Sequence, residues 1–121
     1  MCMIDGAFDW EFFEEKNPTA RKQHTCGECR RDILPGEKYS YAAGRIEGEF
    51  EQYKTCAHCR TAAALLITHC GGFVYESVQE DLVDHMDESL PWSSEAKTYV
   101  EAMFRRWQRK DGAGLMPVPN A

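Results

Sequence analysis

The chain has 121 residues, 43% of them hydrophobic and 28% charged, and a net charge of −6 at neutral pH. That length suits one compact domain with appendages, and the composition is that of a globular chain. No apolar run reaches the ~18 residues of a membrane span, and an acidic chain starts with no bulk attraction for a phosphate backbone.

The opening "MCMIDGAFDWEFF" is acidic and lacks the basic start of a signal peptide. A cytosolic setting with reduced cysteines is the expectation. Within "FDWEFFEEK", Phe8, Trp10 and Phe12 alternate with acids in a strand-like pattern. Residues 1–23 therefore read as an acidic aromatic arm that covers part of the core. Left exposed, the same arm would anchor in a partner's pocket.

Next comes "HTCGECRRDILPGEKYSY", residues 24–41. The six cysteines are Cys2, Cys26, Cys29, Cys56, Cys59 and Cys70. Cys26 and Cys29 form one Cys-x2-Cys pair and Cys56 and Cys59 another. Two such pairs offer four soft ligands for a tetrahedral zinc ion and leave no position open for catalysis. A thioredoxin-like redox pair would need a βαβ setting, and a disulfide framework an oxidising compartment. An iron–sulfur cluster also takes four thiolates and stays open on spacing alone.

Pro35-Gly36 marks a turn. "EKYSYAAG" (37–44) then places Tyr39 and Tyr41 on one face of a strand, and "RIEGEFEQYKT" (45–55) reads as its return, bent at Gly44 or Gly48. "CAHCRTAAALLITHC" favours helix, with Ala62, Leu65, Leu66 and His69 on one stripe. The second ligand pair thus sits in a helix's first turn, where the dipole favours thiolate. Gly71-Gly72 reads as the helix stop.

The knuckle "CGECRRDILPGEKY" resembles the opening of LIM-type fingers. "ARKQHTCGECRRDILPGEKYSY", then "YKTCAHC" and "FVYESVQEDLVDHM", resemble a family of small phage and prophage proteins over roughly residues 19–86. The shared features are an Ala-Arg-Lys-x-His-x-Cys-x-x-Cys opening, a Pro-Gly-Glu turn, a Cys-x-x-Cys helix and a Glu-Asp-Leu-x-x-His segment. The resemblance implies a viral or mobile-element origin and a zinc site at Cys26, Cys29, Cys56 and Cys59. It implies no reaction.

His24 reads as a surface histidine, with a hydrogen bond to a thiolate as the alternative. His58 reads as solvent-facing, since four cysteines already suffice. His69, Cys70 and His85 read as packing groups rather than a second metal site or a nucleophile pair. Cys2 reads as incidental.

"FVYESVQEDLVDHMDESL" (73–90) places Val74, Val78, Leu82, Met86 and Leu90 on one helical stripe. Glu76, Glu80, Asp81, Asp84, Asp87 and Glu88 lie opposite, either as a solvated face or as a docking surface for a basic partner. In "PWSSEAKTYVEAMFRRWQRKDGAG", Ser93 or Ser94 caps a further helix whose apolar face is Ala96, Tyr99, Val100, Met103, Phe104 and Trp107. Arg105, Arg106, Arg109 and Lys110 crowd its end. They either pair with the acidic helix or touch nucleic acid. The tail "GAGLMPVPNA" reads as mobile.

The expected fold is α+β: a treble-clef zinc finger (knuckle, β-hairpin, helix; 24–70) with two additional C-terminal α-helices packed on it (71–110) and a flexible tail (111–121). The expected function is non-enzymatic: a phage or mobile-element protein with one structural Zn2+ that binds a host protein with a basic surface. Inhibition of a host defence system, as by an anti-CRISPR protein, is one form of that reading. The alternative is a regulatory nucleic-acid-binding zinc finger.

Overall fold

The computed structural model describes residues 10–87, 89–112 and 114–119. It is α+β. Strand β1 (Trp10–Lys16) runs antiparallel beside β4 (Tyr39–Ile46), which pairs on its other side with β5 (Glu49–Cys56), so β4 is the central strand. A second, two-stranded ladder joins β2 (His24–Thr25) to β3 (Asp32–Ile33). Three helices follow: α1 (Ala57–Cys70), α2 (Val78–Asp84) and α3 (Ser93–Phe104).

The β4–β5 turn falls at Glu47-Gly48, with φ of 51° and 81°. Two consecutive left-handed residues make the primed turn whose twist matches a hairpin. Of the two glycines expected to bend it, Gly48 does so, while Gly44 lies within β4. The β1 segment is no detached arm. Its register runs from Phe12 against Arg45 to Lys16 against Tyr41, and Ala20 N–H donates to Glu37 O at 2.8 Å. Phe12 and Phe13 remain 47% and 44% exposed, so they cover the core less than their pattern suggests. Phe8 and Cys2 lie outside the described residues.

Helix α1 begins where β5 ends. It stops at Gly71, whose φ of 81° lets its N–H reach Ile67 O. This is the left-handed cap that glycine adopts without a Cβ penalty. Ala62, Ala63, Leu65 and Leu66 face the core, while His69 is exposed. They meet Val78 and Leu82 of α2 and Ala96, Val100 and Met103 of α3. Burying one such Leu or Met contributes about 1.5–3 kcal/mol.

The helix expected over 73–90 is only seven residues long. Two features hold its start back. Tyr75 stacks on Tyr53 of β5 with centroids 4.4 Å apart, and Glu76 has a φ of 68°. The capping group is remote: Glu28 accepts from Glu76 N at 2.6 Å and from Val78 N at 3.1 Å. The expected stripe survives in its middle, where Val78 and Leu82 are fully buried.

Helix α3 also departs from expectation. Trp92, not a serine, occupies its cap position, without a side-chain cap bond. Phe104, assigned to the apolar face, is 72% exposed. Trp107 lies past the helix at φ 61° and is buried. The tail is tied down as well: Met116 N–H donates to Trp107 O and Arg109 N–H to Gly114 O, both at 2.7 Å. Gly/Pro content suggests mobility; these backbone bonds fasten Gly114 and Met116 to the turn past α3. Among the described residues, no helix is long and apolar enough to cross a membrane.

Candidate metal centre

The first cysteine pair sits on the β2–β3 knuckle. Cys26 N–H donates to Arg31 O at 2.9 Å and Arg30 N–H to Cys26 O at 3.1 Å. Arg30 takes a left-handed φ of 68° to reverse the chain. Gly27 N–H reaches Lys54 O at 2.8 Å, fastening the knuckle to β5. Cys56 ends β5 and is the N-cap of α1, and Cys59 lies one turn on, its N–H donating to Cys56 Sγ at 3.4 Å. A strand that runs directly into a helix thus carries the second pair to the first.

The four Sγ atoms all lie within 4.8 Å of one another. Cys29 and Cys56 are 3.9 Å apart, near the ~3.8 Å edge of a tetrahedron with metal–sulfur bonds of about 2.3 Å. Cys26, Cys56 and Cys59 are fully buried and Cys29 is 6% exposed. The donor set fits a metal ion: four soft sulfurs, enclosed and convergent.

Further donors address the sulfurs. Cys26 Sγ accepts from Cys56 N at 3.3 Å and from Glu28 N at 3.4 Å, and Cys59 Sγ accepts from Trp107 Nε1 at 3.2 Å. Bonds of this kind orient ligands and offset thiolate charge. Without an ion the thiols cannot ionise together. Hydrogen bonds from Cys26, Cys29 and Cys59 hold Cys56 far below the ordinary thiol range, whereas contacts with Cys26 and the others push Cys29 and Cys59 well above it. A divalent cation relieves that conflict by favouring the thiolate at every position.

Beside the sulfurs lies a polar layer that the spacing did not reveal. Arg31 is 6% exposed; it donates to both Glu37 carboxylate oxygens, to Asp32 O at 2.8 Å and to His58 Nδ1 at 3.2 Å. Burial opposes its charge, but Glu37 and the neighbouring Cys56 sulfur hold the guanidinium protonated. His58, expected to face solvent, is 3% exposed. Its Nε2 lies 2.6 Å from Met116 O. Because Arg31 donates to Nδ1, the network assigns the proton to Nε2. The reason for the difference is the tail, which returns to cover the first turn of α1.

His24 is half-buried, its ring 5.2 Å from Tyr39, as a packing group rather than a ligand. His69 and His85 both stack on Trp92, at 4.5 and 4.7 Å. Cys70 lies half-buried, its sulfur 3.8 Å from His85 Nε2. These three do not join a metal-binding group among the described residues.

Of the acidic candidates, Glu76, Glu80, Asp84 and Asp87 are exposed. Asp81 is not part of that surface: it is 1% exposed, its backbone O lies 2.8 Å from Nδ1 of buried His85, and its Oδ1 lies 3.4 Å from the same nitrogen. Glu88 lies outside the described residues. Of the basic candidates, Arg106, Arg109 and Lys110 are exposed and Arg105 half-exposed, all beyond the last residue of α3. Among the described residues no salt bridge joins them to the acidic ones.

No protein-family model, curated protein or solved structure matches this chain.

Proposed function

We propose that Cys26, Cys29, Cys56 and Cys59 hold one structural zinc ion in a treble-clef finger, and that the protein works by binding another protein rather than by catalysis. The observation that carries this reading is the closure of the site: four buried ligand sulfurs, all within 4.8 Å of one another. Four thiolates satisfy zinc's preferred tetrahedron, so a substrate finds no coordination position. Soft sulfur ligands disfavour magnesium and calcium. A knuckle, a hairpin and a helix that starts on the third ligand are the parts a treble clef needs.

The binding surface is the exposed acidic set Glu76, Glu80, Asp84 and Asp87, in a stretch (61–92) that holds no Lys or Arg. Such a surface speeds encounter with a basic host protein and selects against acidic ones. The resemblance to phage proteins adds a concrete form: a phage or mobile-element inhibitor of a host defence system, as an anti-CRISPR protein is. Its acidic face would occupy a surface meant for nucleic acid.

Native mass spectrometry should find about one zinc per chain, lost in Cys56→Ser. Purified nucleic-acid-binding defence effectors should lose DNA or RNA on adding the wild type, and keep it when Glu80→Lys and Asp84→Lys are combined. A zinc-loaded wild type that competes with no effector would sink the inhibitor reading and leave the zinc assignment standing.

A further inference from the structure

A cleft of about 440 Å³ lies beside the metal centre, and Arg30, Arg31, Arg105 and Arg106 line it. These are four of the chain's eight arginines, and no lysine is among the lining residues. They come from two distant segments, the knuckle and the turn past α3. The metal centre brings them together: Arg30 and Arg31 directly follow Cys29, and Trp107, the residue after Arg106, donates to Cys59.

The charges in this cleft are unequally matched. Arg31 is committed inward to Glu37, Asp32 O and His58, and Glu37 is committed to Arg31 and Leu34 N. Asp32 is the other acid in the lining. Arg30 and Arg106 are exposed and form no salt bridge among the described residues. Arg105 is half-exposed and held in place, donating Nε to Gln108 O at 3.2 Å and one terminal nitrogen to Met116 Sδ at 3.9 Å. Its other terminal nitrogen is left for a ligand. Three guanidinium groups with spare donors therefore meet Asp32 in the cleft, while Glu28, whose carboxylate also feels the Arg30 charge, is committed to the amides of Glu76 and Val78.

We propose that the cleft binds a small phosphate ester, its phosphate held by Arg30, Arg105 and Arg106. The planar fork of arginine matches phosphate oxygens, and a phosphate has enough charge and acceptors to engage three of them. Leu34 and Leu115, 52% and 37% exposed, offer apolar surface to the organic part. The volume suits a small ligand. A long polyanion would meet Glu28 and Glu76, which line a neighbouring cleft together with Arg30, and the net negative field.

The test uses the full-length, metal-loaded protein, 15N-labelled and titrated at constant ionic strength. The probes are inorganic phosphate, adenosine monophosphate and a short single-stranded oligonucleotide. Adenosine monophosphate should give saturable shifts at the amides of Arg30, Arg106 and Gln108, with a dissociation constant of about 1 mM or tighter. Comparable shifts with inorganic phosphate would identify the free anion as a sufficient ligand and support the assignment. Arg30→Gln combined with Arg106→Gln should weaken binding roughly tenfold or more, with metal content and urea midpoint unchanged. The single Arg106→Gln variant decides the matter if the pair fails to fold. Absence of saturable shifts with all three probes, or undiminished affinity in the glutamine variants, overturns the proposal. Oligonucleotide binding far tighter than that of the mononucleotide, with a steep salt dependence, overturns the small-ligand assignment.

Discussion

Trp107 donates its indole N–H to Cys59 Sγ across 3.2 Å, linking the turn beyond α3 to the last of the four sulfurs. The ring is 1% exposed, so this contact is both a hydrogen bond to a ligand and a packing element. Trp107→Phe separates the two, since it keeps an apolar ring and removes the donor. Partners of metal ligands typically affect metal affinity by about 10–100-fold when lost. The variant should fold and release zinc to a competing chelator about tenfold more readily. Equal retention by both proteins would reduce Trp107 to packing alone.

Removing the ion should unfold the finger. Binding of structural zinc to such sites is worth about 10–16 kcal/mol, comparable to or larger than the whole stability of a small domain. Chelation should therefore abolish amide protection over residues 24–70, and returning zinc should restore it. Cys56→Ser should behave like the chelated protein. A chelated chain that keeps native exchange rates would show that the sulfurs are simply packed.

Arg31 and Glu37 should make stability depend on acid pH. The hydrogen bonds from Arg31 hold the Glu37 carboxyl below the usual carboxylate range. A depressed folded-state value means the contribution is present above the unfolded pKa of about 4.3. It is lost as pH falls through the lower folded value. Metal loss adds its own acid sensitivity, so the comparison is with Glu37→Gln at each pH. Urea midpoints of the two proteins should differ at neutral pH and converge in acid. A difference that does not change with pH would disprove the coupling.

His58→Ala should cost about 1–3 kcal/mol, because it strands one Arg31 donor in a buried place and the Met116 carbonyl in a half-buried one. The loss should appear in urea unfolding and as faster amide exchange around Leu115 and Met116. Metal stoichiometry should stay the same, since the imidazole is not a ligand.

Glu28→Ala should cost about 0.5–2 kcal/mol, the usual range for a lost helix cap. The amides of Glu76 and Val78 should exchange faster while zinc is retained. Unchanged protection at both amides would show that the Glu28 carboxylate is dispensable to α2.

The sequence carried the metal-centre candidate openly. Two Cys-x2-Cys pairs are a local signal, and so is the Ala- and Leu-rich run that makes α1 begin at the second pair. The hairpin was equally legible; β1 forms as a strand, but its alternation does not appear in burial, since Phe12 and Phe13 are both exposed and the register shifts between Trp10 and Phe12. What stayed hidden depends on contacts between distant segments. The stripe from Val74 to Leu90 has helical spacing, but Tyr75 is drawn onto Tyr53 and the backbone at Glu76 turns left-handed. His58 lies between two ligands, and nothing nearby announces that Met116 returns to cover it. The arginines of the cleft are separated by more than half the chain, so their proximity is a property of the fold alone.

Glu28 has a consequence for the whole molecule. It stands between Cys26 and Cys29, and its carboxylate holds the start of the acidic helix. On the zinc reading, a chain that has not captured its ion would have a loose knuckle, and that looseness would pass through the Glu28 bonds to a helix some fifty residues away. Metal capture and surface display would then belong to one cooperative unit. Zinc-starved copies would present no ordered acidic face, and a partner that reads that face would sort mature molecules from immature ones.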